Sequence, residues 1–273
     1  MQIGVIGQGF VGNAIYQKFK NYYDILTYDI EESKCNSTFF DVANCRVVFV
    51  CLPTPMDEDG KCNTSLVEKT IRELTDYVST KTIVIKSTIP PGTTDRLNSL
   101  YPDVDIMFNP EFLTERNAVE DFNNQNRIIL GGPRSATTLL KQIYSKIFPK
   151  AHIVKTGSTH AEMVKYFTNC FLATKVSFAN EMYSLCNALG LDYDKVVEYA
   201  TLDKRLGNTH WSVPGPDGDL GFGGHCLPKD LSALLHLTIE LNSDNNVLMA
   251  VQETNDYVRT NRDWEKMKGR AVT

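Results

Sequence analysis

The chain has 273 residues, 42% hydrophobic and 22% charged, with 28 Lys and Arg against 33 Asp and Glu for a formal net charge of −5. That length buries a core without staples, fits one large domain or two modest ones, and with this composition excludes wholesale disorder. The acid excess and the lack of a basic run argue against a nucleic-acid partner, and no apolar stretch reaches the roughly 18–20 residues of a membrane span. The start, Met1-Gln2-Ile3-Gly4-Val5-Ile6, has no basic flank, so no signal peptide is expected. Seven cysteines without C-x-x-C spacing predict mostly buried thiols of a cytoplasmic protein, and the scattered histidines offer no metal set.

In chain order, apolar runs at 2–6, 24–28, 46–52, 82–86, 104–108, 127–130 and 152–154 predict strands. Helical patterns at 11–19, 65–77, 93–100 and 136–148 separate several of them. Strands apolar on both faces and alternating with helices predict a parallel sheet covered on each side. Residues 1–157 are therefore expected to form an α/β, doubly wound, Rossmann-type domain. From 158 to 189 there is no Pro or Gly, with Ser158 or Thr159 placed to cap the start and Gly190 the end. A helix of that length runs about 45 Å and forms the spine of a smaller all-helical domain, 158–273. Further helices are expected at 193–201, 231–241 and 246–268, with a long Gly- and Pro-rich loop from 203 to 226 that reads as functional.

Gly7-Gln8-Gly9-Phe10-Val11-Gly12 is a G-x-G-x-x-G placed after a strand and at the start of a helix. Gly7 permits the tight turn, Gly9 the approach of a pyrophosphate, and Gly12 close helix–strand packing, while the helix start presents unpaired N–H groups. Asp29, about 20 residues on, suits a ribose 2′-hydroxyl and favours NAD over its 2′-phosphorylated form; Lys34 pulls the other way.

Lys165 and Asn169 lie four apart, on one face of the long helix, whose Met163, Phe167, Phe171 and Phe178 form apolar stripes suited to core or subunit contact. The strongest local signal is Gly221-Phe222-Gly223-Gly224-His225-Cys226-Leu227-Pro228-Lys229-Asp230. Pro228 suits the first helical position, which puts Cys226 just before a helix start and beside a lysine. Both neighbours favour a thiolate.

With these residues in hand, the chain resembles the nucleotide-sugar dehydrogenases, the family of UDP-glucose 6-dehydrogenase and GDP-mannose 6-dehydrogenase. The resemblance runs over nearly the whole chain in order: the glycine turn, Leu52-Pro53-Thr54-Pro55, Lys86-Ser87-Thr88-Ile89-Pro90-Pro91-Gly92, Asn109-Pro110-Glu111-Phe112-Leu113-Thr114-Glu115, Lys165 with Asn169, and the Cys226 decapeptide. It implies NAD as cofactor and oxidation of a sugar 6-hydroxymethyl group to a carboxylate. Cys226 would capture the aldehyde as a thiohemiacetal and carry the later thioester. Lys165 and Asn169 would stabilise oxyanions, Asp230 with Thr88 would hold water, and Glu111 or Glu115 would assist hydrolysis. The resemblance assigns Gly7, Gly9, Phe10, Val11, Gly12, Asp29, Lys34, Thr54, Thr88, Glu115 and Lys229 to the cofactor. It assigns Phe112, Leu113, Phe222 and Gly223 to the substrate, and Arg205 to the sugar site of a neighbouring subunit, in a homodimer built on helix 158–189. The family also has a third, nucleotide-gripping domain. The sequence stops at Thr273, where the linker to it would begin, so three explanations compete: a chain cut short, a minimal enzyme with a looser site supported by the 203–224 loop, or a separate nucleotide-binding domain. Two other readings stay open: a two-electron 3-hydroxyacid dehydrogenase similar to the 6-phosphogluconate dehydrogenase group, and a non-catalytic NAD-binding module.

Overall fold

The computed structural model describes residues 1–77 and 82–273. The chain packs as two units, Met1–Thr54 with Thr64–Lys165, and Pro55–Asn63 with Tyr166–Thr273.

The first unit is built on strands β1 (Gln2–Ile6), β2 (Asp24–Tyr28), β3 (Val47–Val50), β4 (Thr82–Ile85), β5 (Asp105–Phe108), β6 (Arg127–Gly131) and β7 (His152–Thr156). They lie in the order β2-β1-β3-β4-β5-β6-β7. All of β3 and β4 is buried, as a sheet covered on both faces requires. Period-2 alternation divides each strand between two cores. Val47 and Phe49 join Phe19, Phe122 and Tyr144, whereas Val48 and Val50 join Val67, Ile71, Leu74 and Leu97 on the other face. Burying each of these large side chains contributes on the order of 2 kcal/mol. The covering helices are α1 (Phe10–Phe19), α2 (Phe39–Ala43), α3 (Ser65–Thr75), α4 (Thr93–Leu100), α5 (Ala118–Asn123) and α6 (Arg134–Ile147). Helix α3 buries Val67, Ile71 and Leu74 at helical spacing. The all-parallel expectation needs one correction: β6 meets β5 antiparallel, through the single pair Phe108 and Gly131. The link between them carries only the six-residue α5, not the full crossover helix that sets strands parallel.

Helix α7 (Ser158–Leu189) has the predicted span, but Ser158 and Thr159 lie within its first turn, so neither caps its start as expected. Within the first unit its Glu162 is fully buried and accepts from Gly92 N at 2.6 Å, Thr94 N at 2.8 Å and Thr94 Oγ1 at 2.5 Å. Gly92 brings no side-chain cap to α4, so a carboxylate from α7 satisfies those helix-start donors instead.

The second unit holds the rest of α7, then α8 (Tyr193–Ala200), α9 (Leu227–Glu240) and α10 (Asn246–Val258). Its core gathers Tyr166, Cys170, Phe222, Leu231, Leu234 and Val251. Residues Pro55–Asn63 pack here, with Met56 N donating to Ala271 O at 2.8 Å and Ser232 Oγ to Gly60 O at 3.2 Å. The expected helix to residue 268 stops at Val258, where Arg259 turns extended at φ −94° and ψ 115° because its side chain is drawn into a cluster of carboxylates. Among the described residues no helix is long and apolar enough to cross a membrane.

Candidate active site

Strand order reverses around β1, which has β2 on one side and β3 on the other, and in open α/β sheets ligands bind at the carboxyl ends beside such a reversal. The glycine turn stands there. Gly7 has φ +88°, and a Cβ on it would lie 2.4 Å from Cys51 O; a Cβ on Gly12 would lie 1.8 Å from Gly7 O. A Cβ on Gly9 would meet no atom within 4 Å, which leaves that backbone open to an incoming phosphate. Phe10 opens α1, and Val11 packs on the core below. Asp29 follows β2 and accepts from Gln8 N at 2.6 Å, so this carboxylate also ties down the turn. Lys34 is ion-paired with Glu31 at the surface. Thr54 is buried and donates to Thr88 O at 2.8 Å, joining the loops that leave β3 and β4. These residues form a cradle that fits a dinucleotide.

Further along the same unit, Lys165 is buried on α7 and its Nζ donates to Glu111 Oε1 at 2.9 Å and Glu111 O at 2.7 Å. Leu113 N donates to Glu111 Oε2 at 2.7 Å. Burial alone would raise the Glu111 carboxyl, but the Lys165 charge and these hydrogen bonds outweigh it and hold it below the usual carboxylate range. The Phe112 ring lies under Arg127 at 4.0 Å and Lys165 at 5.7 Å. Glu115 is exposed. The two acids of one motif therefore differ sharply: Glu111 is built into a buried ion pair and Glu115 faces solvent.

In the second unit Cys226 is the N-cap of α9 and partly exposed. Helix α9 begins at Leu227, so Pro228 occupies its second position, one later than expected. Its first turn buries Lys229 and Asp230, whose Nζ and Oδ1 lie 2.5 Å apart. Asn169 Nδ2 donates to the other oxygen, Asp230 Oδ2, at 2.6 Å, so both carboxylate oxygens are engaged. Burial works against the Lys229 ammonium, yet Asp230, with Cys62 and Cys226 adding to it, raises its pKa above the ordinary value. Arg205 stands apart from this group, ion-paired to Asp203 at the surface.

The loop that delivers Cys226 is held by residues the sequence motifs did not reveal. Gly221 N donates to Asn180 Oδ1 at 3.1 Å and Phe222 N to Asn255 Oδ1 at 2.7 Å, while Asn255 Nδ2 returns to Phe222 O at 3.1 Å. Buried Arg259 reaches Asp217 at 2.8 Å and Asp263 at 3.1 Å, and Asp263 accepts from Gly224 N at 3.1 Å. A Cβ on Gly223 would lie 2.2 Å from Arg259 Nη2, so only glycine fits over that guanidinium. The spacing of Asn255 on α10 and Arg259 just past its end, four residues apart, is the one sequence signal that links them.

Residues 33–148 match the NAD binding domain of the UDP-glucose/GDP-mannose dehydrogenase family, and residues 159–257 match its central domain. The chain belongs to this family. Its first unit carries the family's NAD-binding domain, and NAD is the cofactor the glycine cradle fits. Relatives include the UDP-glucose 6-dehydrogenase of Rickettsia bellii, 34% identical over 94% of this chain and 62% of that protein. Another is UDP-glucose 6-dehydrogenase TuaD of Bacillus subtilis, 32% identical over 94% of this chain and 63% of that protein. Among solved structures, a UDP-glucose dehydrogenase from Pyrobaculum islandicum superposes with a TM-score of 0.85 at 29% identity, over 94% of this chain and 68% of that one. The chain thus spans somewhat under two-thirds of the two curated relatives named.

Proposed function

We propose that this chain oxidises the 6-hydroxymethyl group of a nucleotide sugar, UDP-glucose, to the carboxylate in two NAD-dependent steps through a covalent Cys226 intermediate. The observation that carries this reading is Cys226 capping a helix whose first turn buries the Lys229–Asp230 pair, in a chain of this family. Bound NAD supplies the hydride acceptor for each oxidation. Asp230, held by Lys229 and Asn169, takes up the alcohol proton through water, and Thr88 supports that water. The Cys226 thiolate adds to the aldehyde carbon, which keeps the aldehyde from escaping and gives a thiohemiacetal. The second oxidation leaves a thioester, and water then displaces the thiolate and leaves the carboxylate. The Lys165 ammonium and the Asn169 amide suit the oxyanions that form along the way. Glu111 is the better base for hydrolysis, since it is buried against Lys165 while Glu115 is exposed. Glu115, Lys34 and Lys229 fall to the cofactor, and Phe112, Leu113, Phe222 and Gly223 to the sugar.

The exposed Phe167, Phe171 and Phe178 of α7 support a homodimer along that helix, with Arg205 serving the partner's sugar site. The decisive experiment measures NADH formed per UDP-glucose consumed. Two NADH per sugar is the expected result, and Cys226→Ser should stop at the aldehyde level. One NADH per sugar with an unaltered Cys226→Ser variant would favour a two-electron dehydrogenase. No turnover with any nucleotide sugar would favour a binding module.

A further inference from the structure

Just beyond β4 stands a lysine that the reaction above does not use. Lys86 is buried, and its ammonium donates to Asn109 Oδ1 at 3.1 Å and to Pro110 O at 3.3 Å. The same Asn109 oxygen accepts from Tyr144 Oη at 2.6 Å, and Asn109 Nδ2 donates to Ile129 O at 2.8 Å. Asn109 is thereby fixed from three elements, and with it the backbone that leads directly into Glu111. Among the described residues no carboxylate is ion-paired with Lys86. Glu111 instead gives one oxygen to Lys165 and the other to Leu113 N.

Several groups face Lys86 from the elements packed around it. Cys51 comes from the end of β3, Asn109 and Glu111 from the loop after β5, Tyr144 from α6 and Lys165 from α7. Burial pushes the Cys51 thiol up to about 12 and raises the Tyr144 phenol too, so both are neutral near pH 7. What remains is two ammonium groups around one carboxylate. Burying a second, unpaired ammonium is costly, and a methionine of similar length would fill the space without that cost.

We propose that Lys86 is a positioning residue for Glu111: its hydrogen bonds set the Asn109-Pro110 backbone, and its charge adds to that of Lys165 in favouring the Glu111 carboxylate. The proposal rests on Glu111 being the base of thioester hydrolysis. Its consequence is specific, because a neutral amine still donates to Asn109 and Pro110. Loss of the Lys86 proton leaves the geometry standing and removes only the charge. Glu111 then becomes the stronger base and hydrolysis quickens. Burial lowers Lys86 from 10.5 to about 8, with Cys51 and Glu111 opposing and Lys165 adding to the fall, so the change lies in an accessible range.

The test follows decay of the Cys226-bound thioester, by acid quench and intact-mass analysis, on either side of pH 8. The wild-type rate should rise about three- to tenfold across that point. Lys86→Met should lack the rise. Lys86→Arg, which keeps its charge throughout, should stay slow at both ends and decides the question alone if the methionine variant does not fold. A rise preserved in either variant overturns the role of Lys86 while leaving the Cys226 chemistry intact. Wild-type protein that forms no Cys226 adduct with any nucleotide sugar instead removes the underlying reading, and this inference with it.

Discussion

Each unit buries one lysine against one carboxylate, and the two pairs are built differently. In the second unit Lys229 and Asp230 are sequence neighbours on the first turn of α9, and Asn169 fills the remaining carboxylate oxygen. Charge is balanced and every strong group is met. In the first unit Lys165 reaches Glu111 across 54 residues, a backbone amide takes the second oxygen, and Lys86 adds a charge that, among the described residues, no carboxylate pairs with directly. A balanced pair holds its protonation state over a wide pH range; an unbalanced trio has one member free to change it. The difference separates a fixed pair beside Cys226 from a carboxylate whose charged surroundings can change with pH.

Breaking the balanced pair should have the largest effect. Asp230→Ala leaves Lys229 buried without its partner, at a cost of about 3–5 kcal/mol in urea unfolding at neutral pH. Lys165→Met should cost less, about 2–3 kcal/mol, since Leu113 N still meets Glu111 and the orphaned carboxyl can take a proton. Because the folded Glu111 carboxyl is held below its ordinary 4.5, its contribution in the wild type is present above that value and fades as pH falls through the lower folded pKa. In Lys165→Met that acid limb should disappear. A wild-type acid limb retained in the variant would mean that Lys165 is not what lowers Glu111.

The third variant reverses the sign. Lys86 titrates at about 8 when folded against 10.5 ordinarily, so between those values the unfolded chain binds more protons and wild-type stability rises with pH. Holding that charge at neutral pH costs on the order of 3 kcal/mol, and Lys86→Met forfeits about 1–2 kcal/mol by leaving Asn109 and Pro110 with a partner fewer. A net gain of about 1–2 kcal/mol is expected at pH 7, shrinking to nothing or to a loss above the ordinary lysine pKa. Paired denaturation curves at neutral and alkaline pH check it, and a variant less stable at both would show that Lys86 is a structural donor only.

These contrasts also show what the sequence makes legible. The glycine turn, the span of α7 and the setting of Cys226 rest on signals close in sequence: a strand before three glycines, a run without Pro or Gly that ends at Gly190, a proline after a thiol. The polar groups that tension the site join elements far apart in the chain, as Glu162 does with Thr94, Asn255 with Phe222 and Arg259 with Asp217. Each of those reads as an ordinary helix polar residue until the partner element arrives. Lys86 sits inside a motif, yet that its direct partners are neutral oxygens is visible only once Asn109 and Pro110 meet it. The antiparallel β6 was hidden similarly, since three apolar residues in a row carry no strand direction.

The smallest effect on stability belongs to Arg205, and it sharpens the comparison because this cation is paired without being buried. Its side chain is 88% exposed and its partner Asp203 lies two residues away, so Arg205→Ala should leave the thermal midpoint where it was. If the residue serves a neighbouring subunit's sugar, the same variant should raise KM for the nucleotide sugar while NAD binding is unchanged. Mixing it with a Cys226→Ser variant should then restore part of the activity, because a mixed dimer pairs one intact thiol with one intact arginine. No complementation on mixing, with both parents dimeric, would place the action of Arg205 within its own chain.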